Sequence, residues 1–449
     1  MSLLSQKPMP LQNSTRAWVL WSCAALFYFY QFILRVSPGI MVHELMASFM
    51  IDAAGVGALA SFYYYSYSAL QLPVGVMLDQ FGPRRVLTGA VLLCALGGVI
   101  FGTASDLVPA QIGRLLIGAG SACAFAGSLK ISSLWFDTRK MALATGLTAT
   151  LGTIGAACGG GPVAALIEIL DWRQVMVIFS LLGGGLALIV WVFVRDQKDY
   201  PDLHPATEEA EMKIWQGVRV VLRSPQMWIL GFYGACLYTP LSALADLWGP
   251  SYIQTLLQCS GPEASAISSS IYIGIAVGAT LFASFSNWLG LRQFPLLVSA
   301  LGTAGTIAYT IYGPISSPWM MTNLLFLAGF FCSGHYTCFV CACETMPRKL
   351  SGTAVAFVNM ITMASGVVFQ PLIGWLMDLN WQGGMSEGVR LYTTQEYRGA
   401  LTAVPMAVFI GIVLALFVKE TGPRGKTAWK NVFKGRPQKV QKNKKGQGK

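Results

Sequence analysis

The chain has 449 residues, of which 54% are hydrophobic and only 11% charged, and its mean hydropathy is +0.55. A soluble globule of this size needs far more charged surface, so the composition excludes one and points to a polytopic membrane protein. The formal net charge of +11 does not describe a nucleic-acid surface, because basic residues crowd into the final stretch Lys426 to Lys449. Beside anionic lipid such a tail gains on the order of 1 kcal/mol per residue held near the surface. Of the cysteines only Cys259 falls in an expected outer loop, so no disulfide framework is implied.

Twelve apolar segments are long enough to cross a bilayer: 17–41, 53–77, 86–104, 108–134, 141–168, 174–194, 227–256, 265–287, 294–313, 318–343, 352–377 and 398–418. The first is too long for the core of a signal peptide and is expected to be retained, with a cytosolic N-terminus. With both termini cytosolic, 25 Lys and Arg residues face inward and three, Arg173, Arg390 and Arg398, face outward. That asymmetry sets the orientation. Arg35, Arg114 and Lys130 remain inside apolar runs, where ionisable groups are costly and mark function.

In the first segment, Phe32-Ile-Leu-Arg35-Val-Ser-Pro38-Gly39 places Arg35 just before residues that unwind a helix. Arg35 is expected to line a cavity and meet an anionic group of a substrate; the competing reading is snorkelling to the outer headgroups. The second segment carries Tyr63, Tyr64, Tyr65 and Tyr67, and we assign Tyr64 to the same cavity, since a buried hydroxyl needs a partner. It ends in Gly75-Val-Met-Leu-Asp79-Gln-Phe-Gly82-Pro-Arg84-Arg85, which predicts a tight, charged loop at the membrane surface. Arg114 in the fourth segment is a candidate for packing or helix anchoring. Lys130 is expected to snorkel, and Asp137 and Glu344 to join ion pairs beside the inner loops. The glycines from Gly152 to Gly161 before Pro162 predict close packing and a bend in the fifth segment.

Residues 195–225 are polar and mixed in charge, and 208–222 suggests a short surface helix. Internal repetition divides the rest. Asn287-Trp-Leu-Gly290-Leu-Arg292 follows the eighth segment as Asp79-x-x-Gly82-x-Arg84 follows the second. Aligning Trp18 with Trp228, or Pro38 with Pro250, carries Arg35 to either side of Asp246, so the two are expected at equivalent places facing one cavity. There Asp246 receives a substrate ammonium or pairs with Arg35 as a gate. His335, in the tenth segment, is a candidate for substrate contact or proton coupling. The neighbouring Cys332, Cys338 and Cys341 lack a carboxylate, and no metal site is expected.

The spacing G-x-x-x-D-x-x-G-x-R-R resembles the signature loop of the major facilitator superfamily of secondary transporters, with Pro83 replacing the usual basic residue. Arg114-Leu-Leu-Ile-Gly118-Ala-Gly120 resembles that superfamily's R-x-x-x-G-x-G pattern in helix 4. The resemblance spans roughly residues 17 to 420. It implies an all-α membrane protein with twelve transmembrane helices in two pseudo-symmetric six-helix bundles, 1–195 and 227–420. A cytoplasmic linker 196–226 joins them and a basic cytoplasmic tail 421–449 follows. A cavity near the midplane and alternating access come with that architecture. Coupling or gating roles are expected for Asp79, Gly82, Arg84, Arg114, Asn287 and Arg292.

The run Phe27 to Met41 is also similar to the opening helix of the phagosomal nutrient transporters of intracellular gamma-proteobacteria. That likeness implies uptake of amino acids or nucleosides with protons. The expected function is secondary transport in a bacterial-type inner membrane, best read as proton-coupled uptake of an amino acid or similar nutrient. Alternatives are a nucleoside or siderophore carrier, a drug or metabolite efflux antiporter, and a transporter-like sensor. No nucleotide-binding or enzyme motif is present, so no cofactor is expected and a proton gradient supplies the energy. Expected partners are a small-molecule substrate and the lipid bilayer, with no nucleic acid, and a monomer suffices.

Overall fold

The computed structural model describes residues 14–194, 214–386 and 388–424. The start of the chain, most of the polar linker and the basic tail from Gly425 lie outside the described residues. The first half comprises α1 (Ser14–Val36), a 3₁₀ turn (Ser37–Ile40), α2 (Val42–Phe49), α3 (Ala53–Phe81), α4 (Pro83–Thr103), α5 (Leu107–Trp135), α6 (Thr138–Gly159), α7 (Gly161–Ile169) and α8 (Trp172–Phe193). After α9 (Ile214–Leu222) come α10 (Pro225–Thr239), a π-helical stretch (Pro240–Trp248), α11 (Gly249–Leu257), α12 (Gly261–Leu289) and α13 (Gln293–Tyr312). The chain continues through α14 (Pro318–Cys332), a 3₁₀ turn (Ser333–Tyr336), α15 (Thr337–Thr345) and α16 (Ser351–Leu379). A short antiparallel hairpin of β1 (Met385–Ser386) and β2 (Val389–Arg390) precedes α17 (Thr394–Leu401) and α18 (Ala403–Phe417).

A backbone in lipid has to satisfy its own hydrogen bonds, so long apolar runs become helices. Among the described residues eleven spans are long and apolar enough to cross a membrane, and α3, with α2 bent 107° away from it, makes a twelfth. Several expected spans are broken where the sequence weakens the helical ladder. Pro162 follows the α6–α7 break at Gly160, and Pro240, which lacks an N–H, opens the π-helical stretch. The helix expected over 208–222 is present as α9 over its described part.

The charged stretch after the second segment is tighter than the loop expected for it. Asp79 lies in the last turn of α3, and Gly82 alone makes the reversal with φ 79°. Pro83 then occupies the first position of α4, where its fixed φ suits the helix and its missing N–H is harmless. Gly290, with φ 65°, makes the matching turn of the second half. These turns and both described chain ends share one end of the molecule, the terminus end. The opposite, hairpin end carries α2 and the β-hairpin.

Within the first half α4 packs on α5 and α8, and α3 on α5; within the second, α12 packs on α14 and α10 on α16 and α18. The most extensive contact joins the halves, α3 against α16, with α6 and α7 meeting α12 beside it. Small residues allow that approach. A methyl on Gly57 would sit 2.4 Å from the Gln370 carbonyl oxygen, and one on Gly374 2.2 Å from that of Ala53.

These contacts distinguish two kinds of glycine. Gly329→Ala places a methyl 1.9 Å from the Ile271 carbonyl inside the second half. It should lower the melting temperature, at a cost of about 1–3 kcal/mol. Gly57→Ala strains a contact between halves, so the hairpin end should open instead, with a longer distance between spin labels on α2 and α17. Equal losses of melting temperature, with no change in distance, would show that α3 and α16 do not part.

Candidate functional site

Arg35 stands in the last turn of α1, where the helix gives way to the Ser37–Ile40 turn and leaves carbonyls without intrahelical partners. Arg114, from α5, supplies what they lack: its Nη1 donates to Leu34 O at 2.8 Å and its Nη2 to Arg35 O at 3.4 Å. A buried cation at a helix C-terminus also complements the helix dipole. Arg114 therefore fixes the backbone from which Arg35 projects, while its own guanidinium packs over the Tyr63 ring at 5.2 Å.

The Arg35 side chain crosses to the other half. Its Nε and Nη2 donate to Asp246 Oδ2 at 2.9 and 2.7 Å, and Nη2 also donates to the hydroxyls of Tyr64, at 2.8 Å, and Tyr238. Asp246 sits on the π-helical stretch, and Gly39 lets the 3₁₀ turn reach its backbone. The Tyr64 hydroxyl donates to Oδ2 and the Tyr272 hydroxyl to Oδ1. Arg35 is 4% exposed and Asp246 1%, so neither charge reaches water and Arg35 does not snorkel. Each is compensated by the other and by two tyrosines, Tyr64 and Tyr238 for Arg35 and Tyr64 and Tyr272 for Asp246.

His335 lies one shell away. Its Nδ1 contacts Cys332 O at 2.7 Å, its ring lies 5.7 Å from that of Tyr238, and its Nε2 is buried without a partner. Tyr336, beside it, is 40% exposed although it lies within electrostatic reach of Arg35 and Tyr67 in the first half. Tyr336 is thus left partly uncovered beside the buried pair.

At the hairpin end the halves are tied together. At the hairpin end Asp378 accepts from Ala54 N at 2.7 Å, from Arg390 Nη1 at 2.9 Å and from the Tyr392 hydroxyl. That hydroxyl in turn accepts from Ala53 N at 3.2 Å, so a carboxylate of the second half holds the amide end of α3. Farther along α3, Ser68 Oγ donates to Met360 O and Asn359 Nδ2 to Gln71 Oε1 at 2.8 Å. These hydrogen bonds between the halves run from the hairpin end as far as Gln71, ten residues, about 15 Å, before α3 ends.

The remaining predicted residues gather at the terminus end. Asp79 pairs with Lys130 at 2.7 Å, so Lys130 meets a carboxylate instead of snorkelling. Arg84 Nε donates to Trp191 O at 2.9 Å and its guanidinium stacks 4.1 Å from the indole. In the second half Arg292 pairs with Glu344 at 2.8 Å and donates to Asn287 Oδ1 at 2.9 Å. The Glu344 carboxylate holds the Arg292 guanidinium above its ordinary range. Asp137 accepts from Lys140 N as the cap of α6. The sequence reading missed Tyr238, Tyr272 and the Asp378 clasp; Tyr272 had a signal, following Ser265, Ser268 and Ser269 on one face of α12. Among the described residues no three His, Cys, Asp or Glu side chains are grouped to hold a metal.

The sequence model of the Major Facilitator Superfamily matches residues 20–371. The chain is 23% identical over 374 residues to the "Probable sulfoacetate transporter SauU" of Cupriavidus necator, a match over 79% of this chain and 85% of that one. It is 25% identical over 367 residues to the "Probable L-galactonate transporter" of Escherichia coli K12, over 78% of this chain and 74% of that one. Among solved structures, an inward-facing, unoccupied bacterial homologue of the human lysosomal transporter Spinster superposes with a TM-score of 0.72 at 17% identity. That match takes in 95% of this chain and 100% of the other, and the likeness is one of fold.

A buried pair of this kind is far costlier to halve than to replace. Asp246→Ala should lower unfolding stability by about 3–5 kcal/mol, because Arg35 is then buried without a counter-charge. Arg35→Met combined with Asp246→Leu should recover most of that loss in a thermal-denaturation cycle. Additive effects of the two changes would mean that the pair is not formed in the membrane.

Proposed function

Since the chain belongs to the Major Facilitator Superfamily and is a multi-pass membrane transporter rather than an enzyme, we propose that its cargo is a small organic anion, taken up by alternating access, with Arg35 receiving the anionic group. The observation that carries this reading is the position of Arg35. It is a buried guanidinium between the halves, and its carboxylate partner, Asp246, belongs to the half that moves away when the hairpin end opens. Once separated, Arg35 presents a planar set of donors matched to a carboxylate or sulfonate. The solutes named for the two relatives, sulfoacetate and L-galactonate, are anions of that kind.

In this reading the terminus end faces the cytosol of a bacterial inner membrane, as the Lys and Arg distribution favours. The Asp378 clasp is then the outer gate. Tyr64 and His335 line the solute path beside Arg35. Asp79, Gly82, Arg84, Asn287 and Arg292 form the inner gate, and Arg114 positions Arg35. The driving force is an ion gradient, with the proton as the favoured ion. A second reading, uptake of an amino acid, draws on Asp246 as a ready partner for an ammonium group.

Thermal shifts of the purified protein separate these readings. Sulfoacetate or L-galactonate at a hundred times its Kd should stabilise the fold by about 2.7 kcal/mol, and Arg35→Gln should abolish the shift. A shift with alanine or glutamine and none with the anions would favour the amino-acid reading; a shift with uridine alone would remove Arg35 from its role. At the inner gate, Asp79→Ala should change stability by under about 1 kcal/mol, as for an exposed pair, yet slow solute exchange in proteoliposomes.

A further inference from the structure

We infer that the cargo is a polyhydroxylated monoanion of the sugar-acid kind, whose hydroxyl groups donate to His335 Nε2 and Gln370 Oε1. The inference rests on the anion reading above and adds to it which anions are accepted. A hydrogen bond left unmade in the interior costs stability, so buried polar atoms nearly always have partners. His335 and Gln370 are both buried, and each keeps one side-chain atom without a partner among the described residues.

Neighbouring carbonyls fix the role of each atom. Cys332 O can only accept, so His335 Nδ1, 2.7 Å away, carries the hydrogen, and Nε2 of the neutral ring is an acceptor. Gln370 is fixed in the same way. Its Nε2 donates to Ser242 O at 2.7 Å, which leaves Oε1, an acceptor, without a donor. Each acceptor is matched by an O–H or N–H brought by a ligand.

Both acceptors belong to the second half and flank the stretch that carries Asp246. Tyr238, at the end of α10, and Ser242 and Asp246, on the π-helical stretch, follow one another at intervals of four. The Tyr238 hydroxyl accepts from Arg35 while its ring lies beside that of His335, and Ser242 holds Gln370. Gln370 is held again by its own carbonyl, which accepts from the Trp248 indole at 3.0 Å. Across the interface the balance reverses. The first half contributes the donors Arg35 and Tyr64, and Arg114 Nε is a buried donor without an acceptor. One molecule with an anionic head and a hydroxylated body suits both sides. The buried charges set its valence: Arg35 and Arg114 carry two positive charges against the one negative charge of Asp246, so one further anion neutralises the cluster.

Calorimetric titration of the purified protein with four probes tests this. L-galactonate and D-gluconate are monoanions rich in hydroxyl donors, hexanoate is a monoanion of equal carbon count with none, and sulfoacetate is a dianion with none. At least one sugar acid should bind with a Kd lower by roughly tenfold or more than hexanoate or sulfoacetate, because a site built to accept from hydroxyls rejects analogues lacking them. Hexanoate or sulfoacetate bound as tightly as both sugar acids overturns the inference and leaves the anion reading in place. None of the four bound, with alanine or glutamine bound instead, removes the anion reading and this inference with it. His335→Phe and Gln370→Met each remove one acceptor. Each should weaken the sugar acid roughly tenfold and leave hexanoate within about twofold, a change of selectivity that lost stability does not produce. Unchanged selectivity in both variants would take His335 and Gln370 out of the contact; if a variant does not fold, the four probes on the unmodified chain decide.

Discussion

An ionised side chain in the middle of a membrane protein has to find an opposite charge, and here it finds one on the other half of the molecule. Arg35 and Asp246 meet across the interface, both shielded from water. The interior is too poor in polarisability to hold either alone. This makes the relation between the halves an electrostatic matter as well as a packing one. Separating the halves at this point would leave each charge in need of another partner.

The local backbone is arranged to serve that pair. Helix α1 stops one turn short of a continuous span because Ser37-Pro38-Gly39 cannot extend it, and the carbonyls thus freed are the ones Arg114 caps. In the seventh span Pro240 opens a π-helical stretch, which changes the angular position of Asp246 relative to a continuous α-helix. Irregular backbone at this depth survives only where protein covers it, and every residue from Pro240 to Trp248 is buried. Two breaks, at equivalent places in the two halves, aim two opposite charges at one point.

Much of this could be read from the residue order. Hydropathy marks the spans, and the repeat of Asp79-x-x-Gly82-x-Arg84 as Asn287-x-x-Gly290-x-Arg292 marks two turns that both require a left-handed glycine. The offset between repeats brought Arg35 and Asp246 to equivalent positions because duplication preserves register. The sequence does not say which charged residues touch across the repeats once the register relation is broken. Lys130 looks like a snorkelling residue until α3 is placed beside α5, and then it faces Asp79. Asp378, Arg390 and Tyr392 sit near a loop whose composition is ordinary. Their meaning comes from the amide end of α3, which lies more than 300 residues away in the chain. Arg84 and Arg292 occupy matching positions yet take different partners, the Trp191 ring and carbonyl in one case and Glu344 in the other.

The two ends of the molecule are held by unequal means, and that inequality bears on how a solute can drive the cycle. The hairpin end is closed by close backbone approach at Gly57 and Gly374, by a carboxylate on a helix N-terminus and by the buried ion pair. At the terminus end the ion pairs lie within a half, and Asp79 and Lys130 are 68% and 30% exposed in their side chains. Exposed pairs contribute little, so they bias the equilibrium weakly. A ligand shifts an equilibrium only by its difference in affinity between the two states. Under the proposed anion reading, the solute would supply an interaction that replaces what Asp246 gives Arg35, and a group that left Arg35 unpaired on closure would arrest the carrier with its hairpin end open.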